Sequence, residues 1–330
     1  MINPKILNLS KNVYNEKKEN INKVLNVIES DDGLENSYKM SFIIFTYEAF
    51  KLNLIDWMLN EIEKINGKII DYIYYPKIDE YKIIEHYKYH NPRDEKDIYG
   101  YNTCMPSVGW PIVRKRFSKP LIACVVIGND ENFNEKMLNL KGPTIPEKCS
   151  YNQLRSKAIN KAYTAVHSSD DIYSALTEAI LFFGKEKIKK ILNNSSFPCW
   201  QINHKMLRMY GNSISYNALS KKDIIRKIEM LVNWHFLNHN RDYLHILNLD
   251  EINNFSLLQS KNVKTISSDL FTKNLISIYN FLIGLRKITD CEDISNSISF
   301  FKSIGIFDNE WEEAITESEL LMNFLNNMDN

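Results

Sequence analysis

Residues 163–183 read YTAVHSSDDIYSALTEAILFF. The first part is a short apolar run that ends at His167, a composition that suits a buried strand. A Ser-Ser-Asp-Asp cluster follows, made of the residue types that form turns and cap helices. Asp171, Ser174, Ala175 and Glu178 then fall three and four positions apart, so they share one helical face. The segment reads as strand, turn and helix, with a histidine at the junction. Helical side chains lean toward the N-terminus, so Glu178 is expected to point back at the loop that carries His167, with Ser169 nearby. A histidine is a nucleophile when a partner holds one ring nitrogen and leaves the lone pair of the other available. The helix N-terminus would add N–H groups and a positive dipole end, a setting for an anionic phosphate. Spacing alone keeps a structural histidine as the alternative.

Working outward, PLIACVVIG (120–128) is the clearest strand, apolar on both faces. SFIIFTY (41–47) and KIIDYIYYP (68–76) have strand composition, the tyrosines of the second being expected to pack on the sheet. Residues 50–66 have helical spacing and stop at Gly67, and 78–90, 131–140, 153–160 and 171–184 also read as helix. Turn residues dominate 91–109, which predicts a long loop. Strand and helix thus alternate four times, which argues for a sheet covered by helices. No G-x-G-x-x-G and no G-x-x-x-x-G-K-[ST] occurs, so neither a Rossmann nor a P-loop phosphate cradle is present.

Beyond about residue 190 the pattern becomes helical throughout, over 221–240, 268–288, 292–306 and 309–327, with no repeat of fixed period. Residues 14–30 form a further, polar helix pattern. The expected division is a helical extension over 1–38, an α/β domain over 39–190 and a helical domain over 191–330.

The chain has 330 residues, 44% hydrophobic and 25% charged, enough to bury a core. Its formal net charge is zero, so neither a nucleic-acid partner nor a membrane partner is expected. The run VRKRFSK (113–119) is a local basic patch whose plainer reading is a solvated helix face. Five cysteines without a C-x-x-C pair suit a reducing compartment, and Cys124 is expected to be a core residue. No stretch reaches the roughly 18 apolar residues of a membrane span, and the expectation is a soluble, cytoplasmic protein. His235 and His239 have metal-ligand spacing but no third ligand, so packing is the expected role. Cys199 and His204 lack a third member for nucleophilic chemistry. No metal-ligating set is assigned.

The residues around His167 carry a resemblance. HSSDDIYSALTEAILFF is similar to the active-site signature of nucleoside diphosphate kinases, in which a histidine followed by Gly-Ser-Asp leads into a helix bearing a glutamate at this spacing. His167, Ser169, Asp170 and Glu178 match, and Ser168 replaces the glycine. KGPTIP (141–146) resembles that family's Gly-x-Thr-x-Pro loop and places Thr144 at a phosphate. SYNQLRSKAI (150–159) resembles the segment of its phosphate-binding arginine, here Arg155, and EHYKYH (85–90) puts Tyr87 near the nucleotide. SKPLIACVVIG (118–128) resembles a further strand of the family, and the matches run in order over about 39–185.

The resemblance implies a mixed α/β (α+β) fold, a ferredoxin-like antiparallel sheet covered by helices, with a mainly α-helical C-terminal domain added. It also implies a ping-pong phosphotransferase. The γ-phosphate of a nucleoside triphosphate, carried with Mg²⁺, would pass to His167 and then to a nucleoside diphosphate or another small acceptor. Arg155 and Thr144 would hold phosphates, and Glu178 and Ser169 would orient the ring. Trp110 and Ile112 would form the wall against the base, and a homo-oligomer is expected. The family's phosphate-contacting lysine falls on Thr46, its asparagine near the histidine on Thr164, and a second arginine near Leu138. Either other cations compensate, with Lys141, Lys136, Arg114 and Lys119 as candidates, or the chain is a nucleotide-binding pseudoenzyme whose helical half contacts a partner.

Overall fold

A computed structural model of the chain describes residues 26–87, 115–193, 203–209, 221–228, 231, 291–303 and 305–328. Most of the helix expected over 14–30, the loop over 91–109 and the helix over 268–288 lie outside these residues. The chain divides into two compact units, Met1–Ala218 and Leu219–Asn330.

The first unit is built on four strands: β1 (Met40–Phe45), β2 (Lys68–Tyr75), β3 (Leu121–Ile127) and β4 (Val166–Ser168). They form one antiparallel sheet in the order β2-β3-β1-β4. Each of the two crossovers skips one strand, so β3 lies between β1 and β2, and β1 between β3 and β4. This is the ferredoxin-like, split β-α-β arrangement.

The β1-to-β2 crossover runs through α2 (Tyr47–Lys51) and α3 (Ile55–Lys64), the β3-to-β4 crossover through α5 (Phe133–Lys141), and α6 (Ile172–Phe183) follows β4. The first unit also contains α1 (Asp31–Tyr38), α4 (Glu80–Tyr87) and α7 (Lys185–Asn193). The sequence pattern had not singled out α1 or α7. The helix expected over 50–66 is broken, because Asn53 adopts a left-handed backbone (φ 54°) between α2 and α3.

Both central strands are buried along their full length, which explains why β1 and β3 read as continuous apolar runs. Their side chains still alternate. Met40, Phe42 and Ile44 pack with Ala123 and Val125 under Ala175, Ala179 and Phe182 of α6, Ile83 of α4 and Ile188 of α7. Ile43, Phe45, Ile122, Cys124 and Val126 face Phe50 of α2, Met58 and Ile62 of α3, and Phe133 and Met137 of α5. Cys124 is thus a core residue, and burial pushes its thiol well above the ordinary range.

The edge strand β2 is capped at its start by residues 203–209, which are helical. The Asn203 amide donates to the carbonyls of Ile69 and Ile70 (3.2 and 2.7 Å), and the Ile69 N–H donates to His204 Nε2 (3.0 Å). Nδ1 of His204 lies 2.6 Å from Glu63 Oε1. These side chains take up backbone groups that an edge strand otherwise offers to a foreign strand. The described half of the Cys199–His204 pair is therefore structural.

In the second unit, residues 221–228, α8 (Cys291–Ser303) and α9 (Glu310–Met328) are helical. Ile224, Ile228, Ile294, Phe301, Ile315 and Leu321 are buried. The Lys227 ammonium donates to Asp308 and Glu312, linking the first helical segment to the start of α9. No helix among the described residues is long and apolar enough to cross a membrane.

Candidate active site around His167

The chain reaches β4 through a tight turn. Ala165 has φ 62°, and the Val166 N–H donates to the Thr164 carbonyl across it (2.7 Å). A left-handed backbone with a Cβ costs about 1–2 kcal/mol. Two contacts hold it there: the Thr46 N–H donates to the Ala165 carbonyl (3.1 Å), and the Ala165 N–H donates to Glu48 Oε1 (3.1 Å). The turn shortens the strand expected from the sequence and delivers His167 into register opposite Ile44. Cross-strand partners project to one face. His167 therefore lies on the Phe42–Ile44 face, which α6 and α4 cover.

Glu178 meets it there. Asp171 caps α6 by accepting from the Ser174 N–H (2.6 Å), which fixes the helix start. Two turns inward, Glu178 Oε2 lies 3.0 Å from His167 Nε2 and accepts from the Ser169 hydroxyl at 2.6 Å. The Ser169 N–H is in turn bonded to the Phe42 carbonyl (3.0 Å). His167, Glu178 and Ser169 are all buried. The structure thus brings together the three residues that the sequence assigned to one catalytic group. The cap corrects one expectation. Asp171 already occupies the N-terminus of α6, and its carboxylate would repel the phosphate that the free helix end was expected to hold.

Arg155 and Thr144 also meet. The guanidinium donates through Nε to the Val166 carbonyl (3.1 Å) and through Nη1 to Thr144 Oγ1 (3.3 Å). It sits on the residue before His167, in a 3₁₀ turn (Leu154–Lys157) where a helix over 153–160 was expected. Tyr87 is the last residue of α4. Its side chain, and Trp110 and Ile112, lie outside the described residues.

Lys136 is on the surface, paired with Asp130 at 2.5 Å. Arg114 lies outside the described residues. Lys141, the last residue of α5, is buried; its ammonium donates to the Ser168 carbonyl (2.9 Å) and lies 2.5 Å from Asp170. Burial pulls its pKa below the ordinary lysine value. It ties the His167–Asp170 turn to α5.

The residue missed in the sequence is Arg116. The basic run over 113–119 had been read as a solvated face, yet Arg116 is only 5% exposed. Nη2 donates to Thr46 Oγ1 (2.8 Å) and Thr164 Oγ1 (3.0 Å), the two positions where the resemblance placed a lysine and an asparagine. Nε lies 2.5 Å from Glu48 Oε1 without a directed hydrogen bond. Among the described residues Nη1 has no hydrogen-bond partner. A pair of threonines facing a strand end, with an arginine within the next basic run, was the only signal in the sequence.

No protein-family model matches the sequence, and no curated protein matches it either. Among solved structures, the chain is similar to the crystal structure of an apo nucleoside diphosphate kinase from Encephalitozoon cuniculi. The identity is 18% over 50% of this chain and 98% of that one, with a TM-score of 0.38.

One further side chain completes the site. His86 of α4 packs edge-on against the His167 ring, with centroids 4.7 Å apart, and against Phe117 (6.1 Å) and Phe182 (5.6 Å). His86, His167 and Glu178 each offer a ligand atom, and these atoms lie within 4.8 Å of one another. They are the set of described residues that could hold a metal ion.

Proposed function

We propose that this chain is a phosphotransferase that carries a γ-phosphoryl group on His167. The observation that supports it most is the buried Glu178 carboxylate, held by Ser169 and set 3.0 Å from His167 Nε2. With Nε2–H directed at the carboxylate, the Nδ1 lone pair is the nucleophile. It attacks the γ-phosphorus, the bond from phosphorus to the bridging oxygen breaks, and the nucleoside diphosphate leaves with those electrons. The imidazolium that develops is stabilised by Glu178. The acceptor, a nucleoside diphosphate or another small molecule, then reverses the step.

Mg²⁺ would accompany the nucleotide and offset the charge of its phosphates. Asp170, about half exposed at the end of the β4 turn, is a hard oxygen ligand that suits such an ion. Arg155 and Thr144 bind phosphate, and Arg116 supplies charge through Nη1. Thr46 lies one two-residue step from Ile44, the partner of His167, so its hydroxyl and the guanidinium on it share the histidine's face. On this reading the resemblance assigns Tyr87 to the neighbourhood of the nucleotide and Trp110 and Ile112 to the wall against the base, and the protein would act in the cytoplasm as a homo-oligomer.

A second reading has its own support. Arg116 and Lys141 already face Glu48 and Asp170, so much of the positive charge is compensated before any phosphate arrives. On that reading the chain binds nucleotide without turnover, and its helical half contacts a partner. Incubation with γ-³²P-ATP and Mg²⁺ separates the two. Acid-labile, alkali-stable label that disappears in His167→Ala supports transfer. Nucleotide binding with no label supports the second reading.

A further inference from the structure

We infer that His86, His167 and Glu178 form a binding site for a borderline-soft divalent cation such as Zn²⁺, and that its occupancy silences His167. The three donors come from α4, β4 and α6 and converge on one sheet face. All three residues are buried, at 4%, 8% and 5% exposure, so an ion there would be shielded from water.

Zinc bound at about 2.0–2.1 Å by tetrahedral ligands sets those ligands about 3.3 Å from one another. The His167 Nε2 to Glu178 Oε2 separation of 3.0 Å is close to that edge. His86 completes the set, since all three ligand atoms lie within 4.8 Å of one another, and a bound ion would draw them together.

The surroundings are those of a metal centre. Ser169 donates to the Glu178 carboxylate at 2.6 Å and fixes its orientation, as an outer-shell partner does. Phe117 and Phe182 pack on the His86 ring and keep its side of the site apolar. Two imidazoles and one carboxylate are a zinc-type donor set. Mg²⁺ and Ca²⁺ demand oxygen ligands and are disfavoured here. The site therefore selects against the ion that accompanies a nucleotide.

The consequence for chemistry follows from proton placement. In the metal-empty site Nε2 carries the proton that faces Glu178, and Nδ1 has the lone pair. A metal on Nε2 binds a lone pair of that nitrogen, so the ring proton must move from Nε2 to Nδ1. A protonated Nδ1 has no electrons to attack phosphorus. The metal thus blocks phosphoryl transfer without leaving the ring or covering the phosphate subsite. The binding claim stands on donor geometry; the silencing rests on the phosphotransfer reading above.

The test uses the full chain stripped with a chelator and titrated with Zn²⁺ against a chromophoric competitor, and with Co²⁺ for the visible absorption of a tetrahedral site. One equivalent of tight binding is expected. Outer-shell changes typically cost about 10–100-fold in affinity, so His86→Ala, which removes a ligand, is expected to exceed that, and Ser169→Ala to fall within it. A His235→Ala/His239→Ala protein is expected to keep the site. Zn²⁺ is expected to stop label transfer to His167 in the wild type and not in His86→Ala. Equal Zn²⁺ affinity in the wild type and His86→Ala, or binding lost only in the His235/His239 variant, overturns the site. Tight binding that depends on His86 in a protein that never labels sustains the metal site and removes the phosphotransfer reading instead.

Discussion

Replacing Glu178 by glutamine changes almost no volume and removes one charge, so its effect can be sized from the geometry. At 3.0 Å and an effective dielectric constant of about 20, a full charge pair is worth 332/(20 × 3.0), or about 5.5 kcal/mol. If roughly half a positive charge develops on the ring as Nδ1 attacks, the loss is about 2.8 kcal/mol, which is about a hundredfold in rate. A glutamine that turns its amide N–H₂ toward Nε2 would also favour the tautomer with the proton on Nδ1. Enforcing a wrong histidine tautomer costs up to about 10⁴ in a related setting. The expected loss in Glu178→Gln is therefore about 10²–10⁴-fold. The assay is the single-turnover rate of label incorporation by rapid quench across nucleotide concentrations. Because Glu178 contacts the ring and Ser169 and is placed on no phosphate, nucleotide affinity is expected to stay within about twofold. A rate within threefold of wild type, in a variant with an unchanged melting temperature, would refute the assigned role of the carboxylate.

Other outcomes follow from neighbouring contacts. Arg116→Ala leaves Glu48, which is fully buried, without its cation, and a loss of about 3–5 kcal/mol in urea unfolding is expected. Adding Glu48→Gln should recover part of that loss, and strict additivity of the two changes would argue against the pair. Phe42→Ala removes a fully buried ring that packs on Phe182 at 5.1 Å, with an expected cost of about 3–5 kcal/mol by the same measurement. His204 is held neutral: burial lowers its pKa below 6.5, and its Nε2 must accept from the Ile69 N–H. Below pH 6.5 the unfolded chain takes up this proton before the folded chain does. Its contribution to stability is therefore full above pH 6.5 and declines as pH falls toward the lowered folded value. Melting temperatures at pH 7.5 and 5.5 should show a drop that His204→Ala shares less.

Short runs of apolar, β-branched and aromatic residues made β1, β2 and β3 legible, and the Asp171 cap with Glu178 seven residues on made the His167 group legible. Both are local patterns, the first set by strand composition and the second by helix periodicity. What was hidden depends on contacts far apart in the chain. Arg116 looks solvated because its neighbours are basic; it is buried because Thr46, Glu48 and Thr164, between 48 and 70 positions away, supply its partners. β4 was read too long because nothing in Tyr-Thr-Ala-Val-His announces a left-handed alanine, a conformation imposed by Thr46 and Glu48. The meeting of His86 with His167 and Glu178 is likewise a product of the sheet order, which puts β4 next to β1 beneath α4 and α6.

The measurement that bears most directly on the central claim is ³¹P NMR of the protein after reaction with Mg²⁺-ATP, under alkaline conditions that preserve phosphohistidine. One resonance of a histidine phosphorylated on Nδ1, absent in His167→Ala and discharged by a nucleoside diphosphate, is the predicted result. A resonance from phosphate on Nε2, or none in protein shown to bind the nucleotide, would contradict it.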